Sequence, residues 1–251
     1  MKQFGQHFLT SNIIPDRICG LINIENMNVF EVGAGRGILT CSILNHKPKK
    51  LVAIEIDKNL DIYLKMITQQ NFHYLIDDVK KYTLKYISQN YFNGESFIII
   101  ANLPYNIGTR LLVDWYNDFY CSDIVIMLQK EVVDRICAQP NSKQYGKLSV
   151  LSQYVMTVEK CFTVGPEYFH KPPKVESAVF KGSANIIDIN KLKVLNDITT
   201  MFFLNRRKVL KSKFIDLFGS EANFFNDFWN KRAENLSLVD YLNIAESVMK
   251  R

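Results

Sequence analysis

The chain reads as an α/β protein: a mostly parallel, doubly wound sheet with an antiparallel edge hairpin, followed by a small all-helical C-terminal domain. Three observations predict this. Short apolar runs alternate with helix-like segments through most of the chain, the pattern of βαβ units on a parallel sheet. Two β-rich stretches then follow one another with no helix between them. Near residue 182 the character changes, and apolar residues from there recur at helical spacing.

Taken in order, the candidate strands are Asn28–Val32, Leu51–Ile56, Phe72–Ile76, Phe97–Ala101 and Ile124–Gln129. Between them lie the amphipathic segments Ile38–Leu44, Leu60–Gln70, Thr109–Tyr120 and Glu131–Ala138. The β-rich stretches Ser152–Val164 and Ser177–Lys181 supply the edge hairpin. Gly182-Ser183-Ala184-Asn185 reads as a linker, and Val194, Ile198, Met201 and Phe202 mark one helical face beyond it. The expected domains are therefore 1–183 and 184–251.

Apolar residues make up 47% of the 251 and charged residues 22%, an ordinary balance for a soluble globular protein. No apolar run reaches the roughly 18 residues of a membrane span, and residues 1–10 carry no apolar signal core. A cytoplasmic chain is expected, with no membrane partner. Five cysteines stand far apart and four histidines lack ligand spacing. Neither a disulfide framework nor a metal site is expected.

The first strand runs into Glu31-Val32-Gly33-Ala34-Gly35-Arg36-Gly37 before a helix. Glycines at alternate positions allow a tight turn and close approach of a ligand to the backbone. The spacing is neither that of dinucleotide sites nor that of a phosphate-binding P-loop. Glu31 beside the glycines would repel a pyrophosphate, which points to a cofactor carrying a positive group nearby. Glu55 ends the second strand, placed to accept ribose hydroxyls. Asp77-Asp78 follows the third strand, where an acid accepts from an adenine amine or simply caps a helix.

Asn102-Leu103-Pro104-Tyr105 follows the fourth strand, at the edge where open α/β sheets bind ligands. Pro104 stiffens the turn, Asn102 offers an amide, and Tyr105 offers a flat face and a hydroxyl. Such a cluster suits a planar exocyclic amine; a plain β-to-α turn uses the same residue types. In the C-terminal region Arg206, Arg207, Lys208, Lys211 and Lys213 fall within ten residues holding no acid. That run is either a phosphate-binding surface or a solvated helix face.

Together, the glycine loop, Glu55, Asp78 and Asn102-Leu103-Pro104-Tyr105 resemble S-adenosylmethionine-dependent methyltransferases of adenine N6. Gly5-Gln6-His7-Phe8-Leu9 resembles the cofactor-covering N-terminal motif of the ribosomal RNA adenine dimethyltransferases, and so does Phe169 with Pro172-Pro173-Lys174-Val175-Glu176-Ser177-Ala178-Val179. Asn205-Arg206-Arg207-Lys208 resembles the helical domain of the bacterial small-subunit members. The resemblance implies a Rossmann-like class I methyltransferase domain using S-adenosyl-L-methionine. It implies a cofactor site of His7, Leu9, Gly33, Gly35, Glu55, Asp78 and Asn102. It places Asn102, Leu103, Pro104, Tyr105 and Phe169 at the chemistry, with Tyr105 and Phe169 on the two faces of the target base. It places RNA on Arg206, Arg207, Lys208, Lys211 and Lys213.

The implied reaction is dimethylation of two adjacent adenosines in small-subunit (16S) ribosomal RNA, on an immature 30S subunit, by a monomer. A large-subunit enzyme conferring macrolide resistance shares the chemistry; a non-catalytic ribosome-assembly factor is an alternative of another class. The chain departs from the family pattern at His7, where Asn is more usual, and at Gly108, where Ser is more usual. Gly108 is expected to loosen the turn after Tyr105, leaving Thr109 to cap the next helix.

Overall fold

The computed structural model describes residues 7–251. Gly5 and Gln6 of the N-terminal motif lie outside the described residues. The elements in chain order are α1 (Ile13–Cys19), β1 (Asn28–Val32), α2 (Ile38–Asn45), β2 (Lys50–Glu55), α3 (Asp61–Leu64), β3 (Phe72–Ile76), α4 (Leu84–Tyr91), β4 (Ile98–Asn102), α5 (Gly108–Tyr116), β5 (Asp123–Gln129), α6 (Lys130–Ile136), α7 (Lys147–Val155), β6 (Met156–Val164), β7 (Ser177–Ala184), α8 (Ile189–Phe203), α9 (Lys211–Phe218) and α10 (Leu238–Met249).

Seven strands form one sheet in the order β3-β2-β1-β4-β5-β7-β6. Strands β1 to β5 are parallel, and β7 runs antiparallel to β5, pairing Asp123 with Ser183 through Gln129 with Ser177. Every residue of β1 is buried, and four of five in β4, because helices cover both faces of a parallel sheet. The chain winds outwards from β1 through β2 to β3, then returns to start β4 on the other side of β1. This reversal opens a crevice at the carboxyl ends of β1 and β4, the place where such sheets bind ligands.

Two compact units divide the chain: residues through Val133 with Glu159–Ala184, and Asp134–Val158 with Asn185–Arg251. The break near 184 coincides with the expected linker, but the second unit also claims Asp134–Val158, which the sequence places with the sheet. The reason is α7. The stretch Ser152–Val164 is not all strand: residues 152–155 complete α7 and the strand begins at Met156. The Ser149 hydroxyl accepts from Gly146 N–H at 3.0 Å and donates to the Arg135 carbonyl at 2.5 Å, fixing the first turn. Val150, Leu151, Tyr154 and Val155 are buried within the helical unit. That unit has its own core, in which Phe202 and Phe214 meet edge to face at 5.4 Å and Phe214 and Phe225 stack at 5.2 Å.

Two further differences matter for the site. The helix expected over Leu60–Gln70 shrinks to the four residues of α3, and Ile62 and Met66 stand 65% and 76% exposed. Helix α4, capped by the Thr83 hydroxyl on Tyr86 N–H at 3.0 Å, carries none of the signals used above.

Candidate active site

The ends of β1, β2, β3 and β4 enclose a cavity of about 310 Å³. Its wall includes His7, Gly33, Gly35, Glu55, Asp77, Asp78 and the whole of Asn102-Leu103-Pro104-Tyr105. Phe8 of the N-terminal motif lines it too, as do Lys80, Asn106 and Ile107, which sequence reasoning overlooked. Their only signal is adjacency to a motif.

The glycine loop is shaped by three left-handed residues, Gly33, Gly35 and Gly37, with φ of 80°, 61° and 81°. Side chains rarely adopt that conformation. A Cβ on Gly35 would stand 3.2 Å from the Phe8 ring, and one on Gly33 would stand 3.5 Å from the Asn102 carbonyl. Glycine therefore keeps the floor of the cavity bare. Glu55 ties the loop to β2: one carboxylate oxygen accepts from Gly35 N–H at 2.9 Å and the other from Asp57 N–H at 2.9 Å.

Asp77 and Asp78 differ in their surroundings. Asp78 caps a 3-10 turn, accepting from Lys80 N–H at 3.0 Å, and also lines the cavity. Asp77 is engaged by Lys81 and by the Tyr82 hydroxyl at 2.7 Å. The hydrogen bond from Lys81, then that from Tyr82, draws its carboxyl down to about 2.

At the end of β4, Leu103 N–H donates to the Met127 carbonyl at 3.2 Å, so the ladder with β5 extends one residue into the turn. The Asn102 amide nitrogen donates to the His7 carbonyl at 3.2 Å. A carbonyl only accepts, so this bond turns the side-chain oxygen of Asn102 away from His7 as the free acceptor. Tyr105 is anchored through its hydroxyl to Ser177 at 2.5 Å, which gives the Pro172–Val179 stretch a concrete task.

The N-terminal strap reaches the site by pairing with residues 168–171. His170 N–H donates to the Phe8 carbonyl at 2.8 Å, and Thr10 N–H to the Tyr168 carbonyl at 3.0 Å. The His7 ring bonds the Lys171 carbonyl through Nδ1 at 2.8 Å, so Nδ1 carries its proton. The same ring stands 5.1 Å from Tyr105 and meets Phe169 edge-on at 6.2 Å.

Two expected site residues sit elsewhere. Phe169 is 3% exposed and backs His7 rather than lining the cavity; Leu9, bridged to it, joins the hydrophobic core. Strand-like pairing of 9 with 169 turns both side chains inwards. Glu31 also departs from expectation. It is fully buried near the end of β1, off the cavity wall, and among the described residues no group is in hydrogen-bonding geometry to either carboxyl oxygen. Burial pushes its carboxyl up to about 8; the facing Thr40 hydroxyl offsets part of this and the Glu55 charge adds to it.

Gly108 does not loosen the turn. A Cβ there would stand 2.4 Å from Leu128 Cδ2 and 3.0 Å from Leu103 Cβ, so the glycine lets both leucines pack beneath the tetrapeptide. Thr109 is not the cap either: Ile107 occupies that position, and Gly108 N–H donates to the Pro104 carbonyl at 2.8 Å.

In the helical unit the basic run is split: Arg206, Arg207 and Lys208 lie in a turn, and only Lys211 and Lys213 are helical. Helix α8 ends at Phe203 and α9 begins at Lys211, with Leu210 N–H held by the Lys231 carbonyl at 2.9 Å. Arg206 donates to Glu234 at 2.5 Å and to the Ser142 carbonyl at 3.2 Å. Lys211 lies over the Trp229 ring at 4.6 Å, and Lys213 faces Asp216 at 3.9 Å. Arg207 and Lys208 are exposed.

This fold defines a class of protein: a class I methyltransferase sheet with a cavity at its strand ends, joined to a helical unit. Residues 1–250 match the family model of the ribosomal RNA adenine dimethylases, and the chain belongs to that family. It is similar to the ribosomal RNA small subunit methyltransferase A of Pelagibacter ubique (35% identity, covering 98% of this chain and 95% of that protein). It is similar also to that of Neorickettsia sennetsu (41%, covering 88% and 85%). Among solved structures it resembles a dimethyladenosine transferase from Plasmodium falciparum (TM-score 0.81, 22% identity, covering 97% and 98%). It resembles likewise the 23S rRNA methyltransferase ErmE (TM-score 0.74, 18%, covering 96% and 99%). These last two likenesses establish the fold.

Proposed function

We propose that this enzyme transfers methyl groups from S-adenosyl-L-methionine to N6 of two adjacent adenosines in a hairpin near the 3' end of small-subunit (16S) ribosomal RNA. It would act on the immature 30S subunit, as a cytoplasmic monomer. The names of the curated relatives support the choice of subunit. One observation carries the chemistry: the Asn102 amide is locked by His7 with its oxygen left as an acceptor.

The residues fit the cofactor. The cavity is at the lower end of the roughly 300–1,000 Å³ of small-molecule sites, and its bare glycine floor admits a ligand where Cβ atoms would intrude. Glu55 accepts from the ribose hydroxyls, and Asp78 offers its second oxygen to the adenine amine. His7 and Phe8 close the cavity over the glycine loop. When bound, S-adenosyl-L-methionine supplies an electrophilic methyl group on a sulfonium sulfur.

Adenine N6 is a poor nucleophile because its lone pair is delocalised into the ring. The Asn102 side-chain oxygen and the Leu103 carbonyl accept its two hydrogens and so turn the lone pair out of the ring plane. These bonds strengthen as the nitrogen gains positive charge, which lowers the barrier. Pro104 keeps the two acceptors in fixed relation, and in-line placement supplies the rest. The target base leaves its stack to reach the cavity. Tyr105, held by Ser177, stacks on it, a contact worth about 1–3 kcal/mol. Phe169 contributes from behind, by holding His7 against Tyr105. No strong base is required, since the proton leaves after transfer. In the helical unit, Arg207 and Lys208 contact RNA phosphates.

The test is methyl transfer to purified small subunits that lack the modification, with primer extension to locate the product. Stops at two adjacent adenosines are expected. Transfer only to large-subunit RNA would favour the macrolide-resistance chemistry, and cofactor binding without transfer would favour an assembly factor.

A further inference from the structure

Arg36 lies in the glycine loop yet does not line the cavity. The alternating left-handed glycines throw it outwards, and it is exposed. Its guanidinium lies between two aromatic rings, 5.0 Å from the centre of Phe8 and 5.7 Å from that of Tyr63. Among the described residues it faces no carboxylate. The acids of the flanking segment are committed elsewhere: Asp57 caps Asn59 at 3.0 Å, and Asp61 holds Lys65 and the Tyr74 hydroxyl. Tyr63 is itself 40% exposed, beside the exposed Ile62.

A solvent-facing cation held rigidly against an exposed aromatic ring is the pairing that proteins use for single-stranded nucleic acid: the cation for a phosphate, the ring for a base. Phe8 joins this pair to the cavity, since it stacks on Arg36 and also lines the wall beside Gly35. A base drawn out of its helix drags its neighbours past the rim of the pocket that receives it. Tyr63 sits in the short helix α3.

We infer that Arg36 and Tyr63 form a nucleotide-docking lip at the mouth of the cavity, which takes the phosphate and base of an RNA residue flanking the target adenosine. The inference rests on the proposed RNA substrate. Stacking of the guanidinium on Phe8 and Tyr63 removes its freedom to swing, so the phosphate meets a cation already in place.

The experiment uses the full-length chain with Arg36→Ala, Arg36→Lys and Tyr63→Ala. Filter binding to unmodified small subunits across a salt series measures the lip. Calorimetry measures cofactor affinity, and methyl transfer is followed separately. Arg36→Ala should weaken subunit binding about five- to tenfold near physiological salt and lower the salt slope by about 0.7–0.9, the loss of one phosphate contact. Arg36→Lys should keep the slope. Tyr63→Ala should weaken binding without changing the slope. Cofactor affinity should stay within about twofold throughout, a result that a purely structural strap would not combine with a changed slope. An unchanged slope in Arg36→Ala, or a parallel loss of cofactor affinity, would overturn the lip. Absence of transfer by the unaltered chain, with its binding intact, would instead overturn the proposed reaction and leave the lip standing on its binding data.

Discussion

The Asn102 side-chain nitrogen donates to the backbone carbonyl of His7 at 3.2 Å, joining the end of β4 to an N-terminal segment 95 residues earlier in the chain. The bond determines which end of the amide meets a ligand. Asn102→Ala removes the acceptor and should cost about 10²–10³ in turnover. Asn102→Asp should do no better, because a carboxylate cannot donate to His7 and is repelled by its carbonyl. Single-turnover transfer at saturating cofactor measures both; near-normal rates would remove Asn102 from the chemistry.

Two measurements on one substitution distinguish Glu55's hydrogen bonds to the loop from its proposed contact with the cofactor. Its carboxylate holds Gly35 and Asp57 N–H groups, and hydrogen bonds to a charged acceptor are worth about 1.5–3 kcal/mol each. Glu55→Ala should therefore weaken S-adenosyl-L-methionine binding at least tenfold and also lower the melting temperature without ligand. Calorimetry and a thermal melt read the two effects. Unchanged affinity would take Glu55 out of the cofactor site even if the melting temperature falls.

Glu31 makes stability depend on pH. Its carboxyl titrates near 4.5 when unfolded and about 8 when folded, so the folded chain holds an extra proton between these values. The stabilisation is complete below the lower value and is lost as pH rises through the upper one. Glu31→Gln should flatten this fall and melt higher than the unaltered chain at about pH 9. Parallel pH profiles for the two proteins would contradict the assignment.

Gly108 should not tolerate a side chain. Gly108→Ala must displace Leu128 or Leu103, a strain of about 1–3 kcal/mol by analogy with overpacked cores. Because Leu103 presents one of the two proposed acceptors, turnover should fall more than stability does. Turnover that matches the unaltered protein would show that the tetrapeptide does not depend on this packing.

In the helical unit, charge alone does not identify the RNA contacts. Arg207→Ala with Lys208→Ala should weaken subunit binding and reduce the salt slope by about 1.4–1.8, because two exposed cations are removed. Arg206→Ala should leave the slope nearly unchanged and lower the melting temperature, since Arg206 is bound to Glu234 and Ser142. Filter binding across salt concentrations separates the two variants.

Much of this site was legible because strand ends, glycines and a proline speak locally. All five parallel strands match the sequence expectation to within a residue at each end, and their carboxyl ends bring Gly33, Glu55, Asp78 and Asn102 onto one wall. What remained hidden depends on partners distant in sequence. Nothing local says that Leu9 pairs with Phe169 and turns it inwards, that Ser177 anchors Tyr105, or that Glu234 occupies Arg206. Glu31 misled because its place beside the glycines says nothing of which face of β1 it occupies. Residues 152–155, the last turn of α7, look like strand in the sequence because they run straight into β6; the helix is fixed from its other end, where Ser149 secures the first turn.

The central claim is that the end of β4 presents adenine N6 to a methyl donor held by the glycine loop and Glu55. Its most direct test is mass spectrometry of the target RNA fragment after incubating unmodified small subunits with enzyme and S-adenosyl-L-methionine. The account predicts two methyl groups on N6 of each of two adjacent adenosines, absent with Asn102→Ala. A fragment left unmethylated by an enzyme that binds the cofactor, or methylated equally by Asn102→Ala, would contradict it.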